Sequence, residues 1–391
     1  MKIIPQNSFF SFIVSLLALM LTSCIKPYEP VIKSVDARKF VVSGQVTRGE
    51  PIQHVNISLT SSLIEPEYLP VKGCKVKITS DKGSTFDAAD MNNGDYEFAV
   101  SESELSPGSS FKVDILTPEG VSIASDFDQI FECPELDSVY YILKEVPSSK
   151  PNVYRRGIQF YVDLEASNST SRIFRWEATE TYEYHSSWPI EWYYDGTVHH
   201  VWPPDYSQSV CWRTVMVKNV FLLSTEIMEE NKYRGFPLHF VDNSSSPRLV
   251  YGYSLLVKQY ALSKAAYAYW DKMRINSNEQ GGMYEKQPLA IRGNLHNVTN
   301  PGQDVLGFFG ASAMTSKRIF IRKVENLPDE YIPNCAPLDV MRRGFRELTP
   351  SMYPVYLYGD DSGYTMNPLP SDCVDCEKAG GTIVKPSFWP K

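Results

Sequence analysis

The chain has 391 residues, of which 43% are hydrophobic and 21% charged, and its formal net charge at pH 7 is −8. A chain of this length can bury more than one hydrophobic core, and an acidic balance without a basic stripe argues against nucleic acid as a partner. The aromatic share of 13% is high and favours either β-rich structure or an aromatic binding surface.

The N-terminal segment has the pattern of a lipoprotein signal peptide. Lys2 places a positive charge ahead of an apolar run, Phe9–Leu21, that is too short to span a membrane. The run ends in Leu-Thr-Ser-Cys, so residues 1–23 are predicted to be removed and Cys24 to carry acyl chains such as palmitate. Residues 24–37 are then a lipidated tether. Because no aspartate follows Cys24, we expect the outer membrane; the sequence leaves open which face of it the protein occupies.

From residue 38 the pattern changes to short alternating runs separated by turn residues. About seven such runs in residues 38–132 predict an Ig-like β-sandwich. The step Gly94-Asp95-Tyr96-Glu97-Phe98 resembles a strand of transthyretin-like sandwiches, which implies a transthyretin-like form of that fold. The runs include Phe40–Val46, Val55–Thr60, Cys74–Thr79, Asn92–Phe98 (a turn followed by a strand), Phe111–Leu116 and Val121–Ala124.

Residues 133–391 are predicted to form a larger β-rich domain with one packed helix. Ile158–Leu164 and Ile173–Ala178 are predicted to pair as strands. A helix is predicted at about 263–276, because Ser263 can cap its N-terminus and an apolar stripe follows at helical spacing. The stripe consists of Ala266, Tyr269, Trp270 and Met273. Further predicted strands are Leu238–Val241, Leu249–Gln259, Leu289–Asn294 and Arg318–Arg322.

The cysteines indicate disulfides. With Cys24 assigned to lipid, six of the seven cysteines remain, and in an oxidising compartment they are expected to form three bonds. The candidates are Cys74, Cys133, Cys211, Cys335, Cys373 and Cys376. Cys74 with Cys133 is the preferred first pair, because both border the N-terminal domain. Cys373 and Cys376 could form half of a zinc site, but structural disulfides are favoured, with each of the two pairing outward to Cys335 and Cys211.

An apparent insertion at about 182–212 holds the densest aromatic stretch. Its candidate binding residues are Trp188, Trp192, Tyr193, Tyr194, Trp202 and Tyr206. Flat aromatic side chains on rigid loops suit sugar rings, peptides or a protein partner. The alternative is an aromatic minicore beneath the insertion. Adjacent histidines on one loop rarely bind the same ion, so no metal site is predicted at His199 and His200.

Motifs distributed over the mature chain resemble one family. They are Leu262-Ser263-Lys264, Tyr269-Trp270, Gly293-Asn294, Asn300-Pro301, Val305–Ser312 and the closing Cys373-Val374-Asp375-Cys376. With the order of leader, lipidated cysteine, small β-domain and larger C-terminal region, they resemble a Bacteroidetes lipoprotein family catalogued as domain of unknown function 4249. The resemblance implies an outer-membrane lipoprotein that is paired with a TonB-dependent transporter barrel.

The sequence contains no catalytic motif of the G-x-S-x-G, H-E-x-x-H or P-loop type. We therefore expect no enzyme, no catalytic residue, no cofactor and no metal. The predicted function is that of an accessory or ligand-capturing subunit of a TonB-dependent transporter. The alternative is a structural component of an envelope assembly that binds no small ligand.

Overall fold

The computed structural model describes residues 38–62, 65–278, 291–328, 330–338, 348–359 and 366–390. The predicted leader, Cys24 and the tether lie outside these ranges, as does the start of the strand predicted at Leu289–Asn294. Among the helices of the described residues, none is long and apolar enough to cross a membrane.

The described part of the chain is mainly β, which confirms the predicted fold class. Its strands are β1 (Phe40–Arg48), β2 (Gln53–Leu59), β3 (Leu69–Pro70), β4 (Lys75–Ser80), β5 (Thr85–Asp90), β6 (Asp95–Phe98), β7 (Ser110–Leu116), β8 (Ser122–Ser125), β9 (Asp128–Gln129), β10 (Ser138–Pro147), β11 (Tyr154–Glu165), β12 (Ile173–His185), β13 (Ile190–Tyr194), β14 (Val198–Asp205), β15 (Val210–Met216), β16 (Phe221–Ser224), β17 (Lys232–Asp242), β18 (Gly252–Ala261), β19 (Leu295–Asn297), β20 (Leu306–Ile321), β21 (Val355–Gly359) and β22 (Met366–Pro368). Its α-helix, α1, spans Lys264–Asn278, and short 3₁₀ turns lie at Pro247–Leu249, Pro350–Met352 and Ser371–Cys373.

Fifteen of these strands form one hydrogen-bonded sheet. Its order is β15-β12-β18-β20-β1-β2-β6-β5-β4-β7-β8-β19, with β16, β3 and β9 paired beside β12, β2 and β7. Two smaller sheets have the orders β10-β11-β17 and β14-β13-β21-β22.

The predicted pairing of Ile158–Leu164 with Ile173–Ala178 is wrong. The two segments lie in β11 and β12, which belong to different sheets. Their apolar side chains meet in one core, where Phe160 of β11 and Trp176 of β12 are both buried. The strands therefore pack through side chains rather than through backbone hydrogen bonds, and sequence proximity alone does not distinguish these arrangements.

The N-terminal strands enclose a second core in the way their alternation predicts. On β7 the side chains of Phe111, Val113 and Ile115 are buried in it, while Lys112 and Asp114 are only partly buried. Gly94 has a φ of +89° at the predicted turn before β6, and a Cβ there would lie 2.7 Å from the Tyr68 hydroxyl oxygen, so the turn requires glycine.

β20 connects the N-terminal strands to the rest of the chain. It runs parallel to β1, from the pair Val41–Leu306 to the pair Arg48–Ala313, and antiparallel to β18. Lys39–Lys391 form one compact unit. The boundary between residues 132 and 133 remains a prediction.

Helix α1 follows β18 directly and packs beside β20. Its N-terminus is capped as predicted, because the Ser263 hydroxyl accepts a hydrogen bond from the Ala266 N–H at 3.0 Å. Tyr269 and Trp270 of the predicted apolar stripe pack against a small buried cluster that includes Phe308. The helix thereby forms a wall above one face of the large sheet.

Candidate functional site

The aromatic stretch at 182–212 forms regular strands: the end of β12, the β13–β14 hairpin and the start of β15. In the hairpin, the Trp192 indole stacks on the His200 ring at 3.9 Å and the Tyr193 ring on His199 at 4.6 Å. The two histidines therefore do not converge on one point. Among the described residues, no cluster of three or more His, Cys, Asp or Glu side chains could hold a metal ion.

The two interpretations of the aromatic candidates are a binding surface and a minicore, and each interpretation holds for part of the set. Trp188 and Tyr193 pack on a small core formed by Tyr356, Leu369 and Val374. The Trp188 indole N–H also donates to the Cys335 carbonyl oxygen at 2.8 Å.

The other aromatic candidates are less enclosed. Trp202 and Tyr206 are 75% and 65% exposed, and Tyr194 makes an edge contact with Tyr353. Trp192 is partly buried, with its indole against Gly359, where a Cβ would lie 2.9 Å from the indole nitrogen. The open part of the set is therefore small and lies on β14 and the loop after it.

Two disulfides attach the C-terminal segment to this region. Cys211 is bonded to Cys376 and Cys335 to Cys373, which confirms that the neighbouring Cys373 and Cys376 pair outward. A zinc site at these residues is therefore ruled out in this structure.

The preferred Cys74–Cys133 bond is wrong, and the number of bonds is two rather than three, because both cysteines are free. Cys74 is buried in the N-terminal core. The thiol of Cys133 instead donates to the Gln259 carbonyl oxygen at 3.3 Å. Each thiol has its own packed surroundings, so bordering the same stretch of sequence did not bring them together.

A lattice of polar side chains lies on the sheet face below α1. The register of β12 with β18 places Arg175 opposite Tyr260 and Glu177 opposite Lys258. Because residues two apart on a strand share a face, all four side chains lie on the same side of the sheet.

Arg175 is the central residue of this lattice and is only 4% exposed. Its guanidinium carbon lies 4.6 Å from the ring centre of Tyr260 and 4.3 Å from that of Trp270, so the cation is held between two aromatic faces. One of its terminal nitrogens donates to Glu177 at 2.6 Å. Its Nε is buried and has no hydrogen-bond partner in the described part of the chain. A buried donor without a partner is uncommon in folded proteins, and it makes this lattice a candidate binding site.

The Glu177 carboxylate of the lattice is held ionised. Burial alone would raise the pKa of Glu177, but the Arg175 charge and its hydrogen bond, with a further bond from the Tyr260 hydroxyl at 2.9 Å, lower that pKa below its usual value. Burial, and then the Glu177 charge, raise the pKa of Tyr260, which therefore remains a donor. The Lys258 ammonium lies 2.5 Å from a carboxylate oxygen of Glu50.

These groups line a cavity of about 360 Å³, which we call the helix-side cavity. Ser43 and Gln45 of β1, with Ser312 of β20, continue its polar wall, and Tyr269 and Trp270 of α1 form the aromatic wall. The hydroxyl of Ser312 is buried and, like Arg175 Nε, has no partner among the described residues. The volume lies within the range of small-molecule pockets, toward its lower end.

A larger cleft of about 640 Å³ lies beside the Cys335–Cys373 bond. Its positive groups are engaged in the fold: Arg248 lies 3.3 Å from Glu180, and Arg213 donates to the Ala379 carbonyl oxygen at 3.1 Å. Two polar atoms of this cleft, Ser246 Oγ and Arg248 Nε, also lack a hydrogen-bond partner among the described residues. The helix-side cavity is the stronger candidate, because Arg175 and Ser312 are almost completely buried, whereas Ser246 and Arg248 are only partly buried.

Sequence reasoning missed the helix-side cavity. One signal was present: Arg175 and Glu177 alternate with Phe174 and Trp176 in the predicted strand Ile173–Ala178, whose other residues are apolar. Such a strand, buried on both faces, should not hold charges unless they are paired. The stripe on α1 was assigned to a core, and it serves both as core and as cavity wall.

The fold and the site together define a mainly β protein. Two disulfides attach its C-terminal segment to the preceding strands, and a small cavity lined by polar and aromatic side chains lies under its helix. A family model for DUF4249, a domain of unknown function, matches residues 25–318. The chain belongs to this family, which confirms the resemblance to domain of unknown function 4249 over the matched residues. The Bacteroidetes source and the lipid anchor remain predictions.

Comparison with curated proteins gives no match. Among solved structures, this chain is similar to one titled as the complete structure of manganese lipoxygenase of Gaeumannomyces graminis and partial structure of zonadhesin of Komagataella pastoris. The identity is 10%, the match covers 57% of this chain and 88% of the other, and the TM-score is 0.14. A similarity this low carries no argument about fold or function.

Proposed function

We propose that this protein is a non-enzymatic lipoprotein of the Bacteroidetes outer membrane that captures a small ligand for a TonB-dependent transporter. The observation that carries the proposal is the helix-side cavity, which places the charged side chains of Arg175, Glu177 and Lys258 beside the aromatic rings of Tyr269 and Trp270. A concave pocket with a few convergent polar groups and an aromatic wall is the usual form of a small-molecule site. The paired acids and bases of the cavity fit binding rather than proton transfer.

The lipid anchor follows from the Leu-Thr-Ser-Cys motif that ends at Cys24. Two or three acyl chains would hold the protein at the membrane, since each buried CH₂ contributes about 0.8 kcal/mol. A fatty-acid probe should label the protein in cells, and Cys24→Ser should abolish the labelling. Cys74→Ser is the matched control and should leave it intact; a labelled Cys24→Ser variant would contradict the anchor.

Ligand capture is tested by native mass spectrometry of the full mature protein, isolated gently from its own membrane. We expect a bound small molecule that is lost from Ser43→Trp, because Ser43 is exposed, lines the cavity and would carry an indole across it. Thr85→Trp is the control, since Thr85 is an exposed strand residue that does not line this cavity. A protein that never carries a ligand, or one whose ligand survives Ser43→Trp, would contradict capture at this site.

The alternative, a structural component without a small ligand, is favoured by one observation: Trp202 and Tyr206 are open to solvent. The same surface would serve a ligand-capturing subunit as its contact with a transporter barrel. The ligand measurement above therefore separates the two functions, whereas binding to a barrel does not.

A further inference from the structure

Four charged groups of the helix-side cavity form two pairs. Lys258 lies against Glu50 at 2.5 Å and Arg175 against Glu177 at 2.6 Å. A charged ligand would have to open one of these pairs and leave its partner uncompensated, which is strongly unfavourable for a buried group.

The lining also includes His54 and the buried carboxyl of Asp128. Asp128 accepts a hydrogen bond from the Ala311 N–H at 2.8 Å, and burial raises its pKa, which favours the neutral form of this carboxyl. With Asp128 neutral, the paired groups leave no surplus charge for an ionic ligand.

The closed pairs still offer many hydrogen bonds. A guanidinium has five N–H donors and an ammonium has three, whereas a carboxylate accepts at about four positions. The hydroxyl of Ser43 and the side-chain amide of Gln45, which line the same wall, can each both donate and accept. One wall thus presents both donors and acceptors.

The adjoining wall is aromatic, and it meets the polar wall where Trp270 lies on Arg175. The Tyr269 ring stacks on Phe308 at 5.2 Å, and Trp270, with one face on Arg175, meets Tyr269 edge to face at 5.4 Å. Such a wall suits the C–H face of a saturated ring better than a flexible chain, because rigid aromatic surfaces bury area at a low entropy cost.

We infer that the helix-side cavity binds a neutral, hydroxyl-rich ring compound of the monosaccharide class, with its hydroxyls on the Arg175–Glu177–Lys258 wall and a C–H face toward Tyr269 and Trp270. The inference rests on the proposed function and narrows it to a ligand class.

The test is calorimetric titration of the full mature protein with two panels at millimolar concentrations. The first holds neutral hexoses and N-acetylhexosamines, and the second holds glycine, lysine, glutamate and inorganic phosphate. We expect binding from the first panel only, and an affinity that changes less than about twofold between low and high salt, because a neutral ligand is not screened.

Variants place the binding in the cavity. Trp270→Ala should weaken the sugar at least tenfold, and so should Ser43→Trp, whereas Trp202→Ala on the exposed hairpin should leave the affinity unchanged. If Trp270→Ala fails to fold, Gln45→Ala gives the same test, since Gln45 is a partly exposed residue of the polar wall; we expect a several-fold weakening. Lys258→Gln should weaken the sugar and, because Glu50 loses its counterion, should admit lysine from the second panel.

The outcomes separate this inference from the function beneath it. Binding of a charged compound in preference to every sugar, lost in Ser43→Trp, would overturn the ligand class and leave ligand capture standing. If no sugar binds but a native ligand is found, its measured mass and charge decide the class. If no sugar binds and no native ligand exists, both proposals fall.

Discussion

The N-terminal strands β1 to β8 and the small sheet β14-β13-β21-β22 are stabilised in different ways. The first region shares a core of twenty-two buried residues and contains no disulfide among its described residues. The small sheet covers a core of only three buried residues. The Cys335–Cys373 bond lies beside it, and the Cys211–Cys376 bond joins the segment that supplies Val374 to the core of the large sheet. A sheet with little apolar surface to bury gains stability from covalent constraint of the unfolded chain, as small disulfide-rich domains do.

The largest expected effect breaks that constraint. Cys211→Ala with Cys376→Ala opens a loop of 165 residues, and on the chain-entropy model this costs up to about 5 kcal/mol. Hydrogen exchange should show faster exchange in β13, β14 and β21, while β4 and β7 stay protected. Cys335→Ala with Cys373→Ala, which opens 38 residues, should cost up to about 4 kcal/mol. Equal loss of protection in both regions would mean that the disulfides stabilise the N-terminal strands as much as the small sheet, which would contradict the comparison.

The N-terminal core should respond to packing alone. Ile78 is completely buried there, and Ile78→Ala should lower the free energy of unfolding by about 3 kcal/mol through lost burial and a cavity. Denaturant titration measures the change, and Lys77→Ala, an exposed neighbour on the same strand, should change it by less than about 0.5 kcal/mol. Added reductant should leave exchange in β4 and β7 unaltered, and a reductant-sensitive N-terminal core would count against this picture.

The two free thiols provide a further test of this comparison, and their reactivity depends on pH. Burial raises the pKa of the Cys74 thiol, and also that of Cys133. The thiolate is the reactive form, so alkylation of the folded protein should be slow near pH 8 and should accelerate only above the ordinary thiol pKa of about 8.5. After unfolding without reductant, mass spectrometry should find these two cysteines alkylated and the four bonded ones unmodified. A peptide containing a Cys74–Cys133 bond would refute the assignment.

The smallest expected effect on stability is at the exposed edge of the small sheet. Trp202→Ala should change the free energy of unfolding by less than about 0.5 kcal/mol, since Trp202 is 75% exposed. If this surface contacts a transporter barrel, the variant should weaken the association by about 2 kcal/mol or more, as aromatic hot spots do. Trp188→Ala is the contrasting variant and should destabilise the sheet, because its indole bonds Cys335. A Trp202→Ala variant that melts and binds normally would remove this surface from consideration.

The sequence by itself determined the local elements. The alternation of apolar and polar residues located β1, β2, β4, β6 and β7, and the Ser263 cap with the apolar stripe located α1. Burial on one face makes apolar residues recur at a fixed spacing along the sequence. The outward pairing of Cys373 and Cys376 also followed, since the short ring between them is tight.

Only the tertiary structure decided which elements meet. β1 pairs with β20, more than 250 residues later, and Arg175 meets Tyr260 and Trp270 through strand register and a helix crossing. The same long-range placement left Cys74 and Cys133 apart and set β11 against β12 face to face. Local patterns record whether a side chain is buried, whereas the identity of its neighbour depends on the competition among all strands for partners, and the candidate site consists of such neighbours.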